Sequence, residues 1–358
     1  MIFGVLGRYF AARFARTVLG VFGGMFALIF TVDLVETLRR SGESPEATAA
    51  TMTSLAFLHT PIVAEQVLPF AVLLGSMISF LNLSRRLELV VARAAGVSVW
   101  QFLTPVLVMT VAIGVFEITL YNPVSTALKR SAESIEAKLF GPQALTSGGV
   151  WLTQESVDGL AIIHAQRSGV TREFGHFQVY SFDRGGTFSQ RVDAERAILR
   201  DGFWELRNAT VVVPGFDTTS AGTFLLATTL SEAEVAQAFS APDTVSFWSL
   251  SALADQVERA GLDDNAYRLR YQQLCALPAT LAAMVLVASC FSLRMFRMGG
   301  VQKMVSGGVA AGFVLYVATK VIGDFGDAGL LSPWVAGWLP AAAGSLIGVY
   351  VLLMQEDG

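Results

Sequence analysis

The segment YQQLCALPATLAAMVLVASCFSL, residues 271–293, sets the architecture of the chain, because it is long and apolar enough to cross a lipid bilayer. After its two glutamines, only threonine and serine interrupt the apolar side chains. A bilayer core of about 30 Å needs roughly 20 such residues in a helix. The composition agrees: 53% of the 358 residues are hydrophobic and only 15% are charged, whereas about a quarter of a soluble protein is charged.

Five other segments have the same length and apolar character. They lie near Thr17–Leu38, Met52–Leu83, Gln101–Leu139, Met304–Gly323 and Pro333–Met354. Pro61 and Pro69 predict kinks in the second of these helices. Three spans precede a polar insert and three follow it, so we predict an α-helical membrane protein with six transmembrane helices.

The polar insert is predicted to be an all-β, jellyroll-like domain. Short runs rich in β-branched and aromatic residues occur at Val150–Thr153, Ala161–Ala165, Phe177–Phe182, Ala194–Arg200, Phe203–Arg207 and Gly222–Thr229. Asp201-Gly202 is a hairpin signal, because both positions of a two-residue turn need positive φ. Phe247–Gly261 predicts an amphipathic helix leading back to the membrane. The predicted domains are therefore 1–140, 141–245 and 246–358.

Positive charge in the short loops predicts the orientation, because loops rich in arginine and lysine stay in the cytoplasm. With six spans, nine basic residues fall on one side: Arg8, Arg13, Arg16, Arg85, Arg86, Arg93, Arg294, Arg297 and Lys303. We therefore expect both termini in the cytoplasm and the β domain outside, which is the periplasm if the cell is Gram-negative. The net charge of −4 gives no reason to expect a nucleic-acid partner.

The segment Ser84–Trp100, SRRLELVVARAAGVSVW, is the most specific local signal and predicts a short helix over about 84–98. One face of this helix can be lined by Leu87, Val90, Val91 and Ala94. Such a helix can dock into a groove on a soluble partner or lie among lipid headgroups, and the residues leave both open. Glu88 favours the partner slightly, since a carboxylate has little use against an anionic membrane but can pair with an arginine.

A second group of basic residues lies at the predicted outer ends of the spans, against the orientation signal. It comprises Arg39, Arg40, Lys129, Arg130, Arg268, Arg270 and Lys320. Long basic side chains commonly extend from an interface to water, which is the simplest interpretation of any one of them. As a set they favour an anionic lipid headgroup as the ligand.

Three glycine pairs have the four-residue spacing that lets membrane helices approach closely. They are Gly20/Gly24, Gly308/Gly312 and Gly344/Gly348. The spacing is compatible with pairing to a second membrane subunit.

The sequence contains no motif for catalysis or for binding a cofactor. It lacks the phosphate-binding loop G-x-x-x-x-G-K-[ST] and the nucleophile elbow G-x-S-x-G. Its histidines, His59, His164 and His176, are scattered, so no metal site is expected. We predict no catalytic residues, no bound cofactor and no enzymatic activity. A membrane-anchored envelope scaffold or sensor stays open as an alternative to transport.

Several stretches resemble one known family. They are DLVETLRRSG (Asp33–Gly42), LPFAVLLG (Leu68–Gly75), LELVVARAAG (Leu87–Gly96) and the closing EDG. With the layout of spans and insert, they resemble the LptF/LptG lipopolysaccharide-export permeases over essentially the whole chain, most closely the LptG branch of alphaproteobacteria. The resemblance implies a multi-pass protein of the bacterial inner membrane.

The resemblance also implies partners and energy source. In that family two sibling permeases, LptF and LptG, form a heterodimer that binds two copies of a cytoplasmic ATPase, LptB. ATP and Mg²⁺ would bind to that ATPase, and lipopolysaccharide would pass to LptC and a periplasmic bridge of similar β domains.

Individual residues match functional positions of the family. Glu88 matches a glutamate of the coupling helix that meets the ATPase, and we assign the ATPase-coupling role to this helix with Arg85, Arg86, Glu88 and Arg93. Lipid-headgroup binding is implied for Arg39, Arg40 and Arg130. Two family lysines are not reproduced, because Asp33 and Ile62 occupy those positions, and this departure implies altered headgroup contacts.

Overall fold

The computed structural model describes residues 4–40, 48–140, 150–156, 159–167, 173–183, 187–216, 218–228, 242–259, 263–293 and 301–356. Six helices in these ranges are long and apolar enough to cross a membrane. The helices are α1 (Val5–Arg40), α2 (Ala49–Arg85), α3 (Glu88–Ala94), α4 (Val99–Phe116), α5 (Asn122–Phe140), α6 (Phe247–Arg259), α7 (Asn265–Ser292), α8 (Val301–Asp327) and α9 (Pro333–Glu356). The six predicted spans are confirmed.

The third span contains an irregular turn. A π-helical turn at Glu117–Tyr121 joins α4 directly to α5, so the chain stays helical from Val99 to Phe140. A π turn holds one residue more than an α turn and often marks a functional position. Pro61 and Pro69 lie inside α2, which continues through both.

The described residues form two compact units. The first contains the described chain up to Asp33, His59–Ser125 and the described chain from Arg268 onward, and the second contains Leu34–Leu58 and Thr126–Tyr267. In the apolar windows of the spans, 56% of the residues of α2 and 67% of those of α7 are buried, against 6% in α1 and 11% in α8. α1 and α8 therefore leave most of their apolar surface for lipid or another protein.

The insert is an antiparallel sheet, as predicted. Its strands are β1 (Val150–Ser156), β2 (Gly159–Arg167), β3 (Glu173–Phe182), β4 (Phe188–Arg200), β5 (Phe203–Val212) and β6 (Thr219–Ala227), each paired with the next along the chain. The predicted Asp201-Gly202 turn joins β4 to β5, where Arg200 pairs with Phe203. Gly202 has φ of 85°, but Asp201 does not have positive φ, so the expectation of positive φ at both positions was wrong. Each predicted strand lies within an observed one, except that the last was predicted to reach Thr229 whereas β6 ends at Ala227. Thr228 is outside the strand, and Thr229 and the predicted start of the domain at 141–149 lie outside the described residues.

The sheet coils until its two edge strands meet at one end. Gln154 on β1 donates to the carbonyl of Ala227 on β6 at 3.0 Å and accepts from the hydroxyl of Thr228 at 2.6 Å. The inner face packs apolar side chains around Trp204, whose ring lies 4.9 Å from that of Phe177. A coiled sheet with an apolar lining is the form that the predicted jellyroll-like domain takes here.

The helix after the insert also follows its prediction. α6 spans Phe247–Arg259 and buries Leu250, Ala254 and Val257 along one face. The predicted end at Gly261 lies outside the described residues.

Candidate coupling helix and basic site

The short helix α3, between the second and third spans, is bounded by two residues with positive φ and by the N-cap of α4. Leu87 (φ 59°) precedes α3 and Gly96 (φ 85°) follows it. Both lie in the left-handed region, which glycine adopts without strain and leucine does not. Ser98 then begins α4 with a capping box, since its hydroxyl accepts from the Gln101 amide at 3.2 Å. These two residues and the cap separate α3 from α2 and α4.

The two faces of α3 differ in what they contact. Leu89 and Ala92 are buried, and Leu89 belongs to the same apolar core as Phe102. The opposite face leaves Leu87 60% exposed and Val91 66% exposed. Apolar side chains four residues apart on a helix lie side by side. Of the sequence-predicted apolar face, Leu87, Val91 and Ala94 are therefore exposed, and the side chain of Val90 lies outside the described part of the structure.

Glu88 is bound within the chain. Its Oε1 accepts from Arg13 Nη1 at 2.9 Å, and its Oε2 accepts from the Tyr9 hydroxyl at 3.2 Å. Arg13 Nη1 also donates to the Tyr9 hydroxyl at 2.7 Å. Ion pairs with additional hydrogen bonds are stronger than simple surface pairs. The first residue of α3 is thus tied to α1, a link that sequence reasoning did not foresee.

The other residues predicted for coupling lie around Glu88. Arg85 ends α2 and Arg86 follows it, and both side chains are exposed. Arg93 lies on α3, but its side chain falls outside the described part of the structure. Arg85 and Arg86 therefore directly precede Leu87 in the chain, and no described hydrogen bond joins them to Glu88.

The two arginines that end α1 form ion pairs with glutamates. Arg39 donates to Glu36 one helical turn earlier at 2.8 Å. Arg40 donates to Glu136 on α5 at 3.0 Å, and its guanidinium lies 4.8 Å from the centre of the Phe140 ring. Arg39 is 76% exposed at its side chain and Arg40 is 33% exposed. Arg39 is thus open to an anionic ligand, and Arg40 is fixed against α5.

Arg130 and its neighbour hold the end of the insert. Arg130 Nε donates to the carbonyl of Thr244 at 2.7 Å, and Lys129 pairs with Asp243. Both acceptors belong to the 3₁₀ turn at Pro242–Thr244. Arg40 is therefore bound to α5, and Arg130 is part of α5. The hydrogen bond from Arg130 to the Thr244 carbonyl is a structural contact, which comes in addition to its predicted role in ligand binding.

Comparison with known proteins gives this arrangement a context. The family model of the lipopolysaccharide export system permease LptF/LptG matches residues 8–354. The chain belongs to the LptF/LptG family. It is 25% identical to the lipopolysaccharide export system permease protein LptG of Escherichia coli K12, with 99% of each chain covered. It is 23% identical to LptG of Haemophilus influenzae, with 91% of this chain and 92% of that protein covered.

Membership of a permease family agrees with the prediction of a membrane transport protein. It also agrees with the multi-pass helical fold. The resemblance stated from the sequence is thereby confirmed.

Two positions that depart from the family pattern have different environments. Asp33 lies 3.3 Å from His59 Nδ1 and is partly buried, so an acid–imidazole pair stands where a lysine was expected. Ile62 is 2% exposed and contributes to the packing of α2. Neither adds a positive charge toward a ligand.

Sequence reasoning missed a buried charged cluster on α2, α7 and the π turn. Glu65 on α2 pairs with Arg270 on α7, and Glu117 lies in the π turn. The signal was available: an acidic residue inside an apolar span is costly and marks a functional position.

Proposed function

We propose that this chain is the membrane subunit that exports lipopolysaccharide with energy supplied by a separate cytoplasmic ATPase. The observation that carries the proposal is the family match over residues 8–354. The relatives are named for lipopolysaccharide export. Four features suggest how such export would proceed: α3, the basic end of α1, the exposed spans and the β domain.

Energy would enter through α3. The uncovered apolar side chains of Leu87 and Val91 suit a groove on a soluble partner, and Arg85 and Arg86 stand beside them. Movement of α3 would reach α1 through the pair of Glu88 with Arg13. ATP and Mg²⁺ would be bound by the ATPase, as two LptB copies serve the family's two permeases. This chain then contributes no catalytic group.

The lipid would be held where α1 ends. Arg39 and Arg40 offer guanidinium groups that can bind phosphate in a bidentate manner, and Arg130 on α5 would be a third contact. Glu136 pairs with the partly buried Arg40, so an incoming phosphate would have to compete with that carboxylate, whereas Arg39 is mostly exposed beside Glu36. This competition supports reversible binding, which a transporter needs for release.

The sibling permease would pair with α1 and α8. These are the spans with the least buried apolar windows among the described residues. A Cβ added at Gly20 or Gly24 would meet nothing within 4 Å, whereas one at Gly312 would meet Leu73 and one at Gly348 would meet Leu286. The later glycine pairs are thus used inside the chain, and the α1 pair stays available for a second subunit.

We expect the double variant Gly20→Leu/Gly24→Leu to lose at least about 90% of the co-purifying sibling permease, because two leucines keep the helices apart. The chain itself should stay folded, since the space at both positions is open. Gly20→Ala/Gly24→Ala is the matched control and should retain most of the partner. Undiminished pairing in the leucine variant would rule out α1 as the contact.

The β domain would receive the lipid and pass it to LptC and the periplasmic bridge. Its coiled sheet presents an apolar interior that suits acyl chains. The orientation proposed from the basic loops, with both termini in the cytoplasm of an inner-membrane protein, brings this domain to the periplasmic side.

Co-purification tests the proposal against the alternative of a scaffold or sensor. The full chain is extracted from native membranes and its partners are identified by mass spectrometry. A transporter subunit should bring an ATPase, a sibling permease and bound lipopolysaccharide. A complex that contains neither an ATPase nor bound lipid would support the scaffold.

A further inference from the structure

Three charged side chains on three of the long apolar helices form a cluster. Glu65 on α2 and Glu117 in the π turn are 5% and 3% exposed, and Arg270 on α7 completes the group. All three belong to the same compact unit. Ionisable residues within membrane-spanning helices are rare, and they commonly mark substrate, ion or proton pathways.

Glu65 has the surroundings of an ionised carboxylate. Asn122 Nδ2 donates to both of its oxygens at 3.1 Å, the Ser125 hydroxyl donates at 3.0 Å, and Arg270 Nη2 also donates. Hydrogen bonds and an adjacent cation favour the charged form of a carboxyl group. The negative charge of Glu65 is therefore well compensated.

Glu117 has the opposite surroundings. Among the described residues, neither of its carboxyl oxygens has a hydrogen-bond partner, although both are buried. Glu65 from α2 and Arg270 from α7 act on it electrostatically, while Tyr121 of the same turn directs its hydroxyl to the Pro61 carbonyl at 3.0 Å. A buried carboxylate without a donor costs far more free energy than the neutral acid.

We propose that Glu117 is a proton-binding site, and that its proton moves to Glu65 when Arg270 moves from Glu65 to Glu117. While Arg270 pairs with Glu65, Glu117 keeps the proton. When Arg270 turns to Glu117, the O–H bond of Glu117 breaks and an O–H bond forms on Glu65. The cluster then keeps one proton, one guanidinium and two carboxyl groups, so its net charge is zero in both states.

The π turn gives this exchange a structural basis. Glu117 begins the turn and Asn122, which donates to Glu65, directly follows it. Rewinding the turn to α geometry would rotate Glu117 relative to Asn122, because a π turn holds one extra residue. The site would then report the conformation of the third span. The inference is independent of lipid export.

Infrared spectroscopy of the purified full-length protein in proteoliposomes tests the proton site. We expect a protonated-carboxyl C=O band at neutral pH that shifts in D₂O and is missing from Glu117→Gln. Glutamine matches a neutral acid in shape and charge, so this variant should keep the thermal midpoint of the native chain. Identical carboxyl bands in the two proteins, or a marked fall in the midpoint, would overturn the proposal.

The exchange has its own test. In Glu65→Gln, Arg270 should turn to Glu117, and the Glu117 band should disappear; a band that persists would contradict the exchange. A second measurement uses the unaltered chain. Dicyclohexylcarbodiimide adds to a neutral carboxylic acid and, after rearrangement, leaves the whole reagent attached as an N-acylurea. Mass spectrometry should find this adduct on Glu117, and an adduct on Glu65 instead would reverse the assignment.

Discussion

Charge reversal in Glu88→Lys is expected to lower ATP-driven lipid release by tenfold or more. The substitution removes the acceptor of Arg13 and Tyr9 and places two cations side by side. A hydrogen bond to a charged group contributes about 1.5–3 kcal/mol, and about 1.4 kcal/mol corresponds to tenfold in an equilibrium. Release is measured on proteoliposomes with the ATPase, and association is measured by co-purification.

A charge swap separates two roles for Glu88. If the glutamate acts by linking α3 to α1, Arg13→Glu/Glu88→Arg should restore a substantial part of the release that either single change removes. If it acts on an arginine of the ATPase, the swap should restore nothing. Normal lipid release by Glu88→Lys would contradict both roles.

Neutralising the basic end of α1 in Arg39→Gln/Arg40→Gln should lower lipid affinity by about 100-fold. Each arginine is expected to contribute at least about 1.4 kcal/mol to phosphate binding through charge-assisted hydrogen bonds. The measurement is the amount of lipopolysaccharide retained on the purified protein as detergent washes proceed. The loss should be larger at low salt, where electrostatic contacts are less screened.

Glu136→Gln is the matched control for Arg40. It breaks the pair with Arg40 but leaves the guanidinium available, so lipid retention should stay equal or rise. If Glu136→Gln reduces retention as much as loss of the arginines does, the arginines act by joining α1 to α5 and not by binding lipid.

The membrane spans and the strands could be predicted because each is encoded locally. Residues 271–293 carry their apolar character without reference to any other segment, and Asp201-Gly202 specifies its turn by backbone conformation alone. The apolar outer face of α3 follows in the same way from the positions of Leu87 and Val91. These features needed no knowledge of tertiary contacts.

The pairings of charged residues could not be predicted because they join distant parts of the chain. Glu88 and Arg13 are 75 residues apart, Arg40 and Glu136 are 96 apart, and Arg270 and Glu65 are 205 apart. Composition identifies such residues as costly, but only the packing of helices selects the partner. The coiling of the sheet could not be predicted for the same reason, because Gln154 on β1 bonds to Ala227 on β6, which is distant in the chain.

ATP-dependent extraction of lipopolysaccharide tests the account most directly. The assembled complex is placed in proteoliposomes that contain labelled lipopolysaccharide, and transfer to a soluble periplasmic acceptor is followed over time. We predict transfer with ATP and Mg²⁺, little transfer with a non-hydrolysable analogue, and loss of transfer in Glu88→Lys. Equal transfer with and without ATP hydrolysis, or none in the intact complex, would contradict an export permease driven through α3.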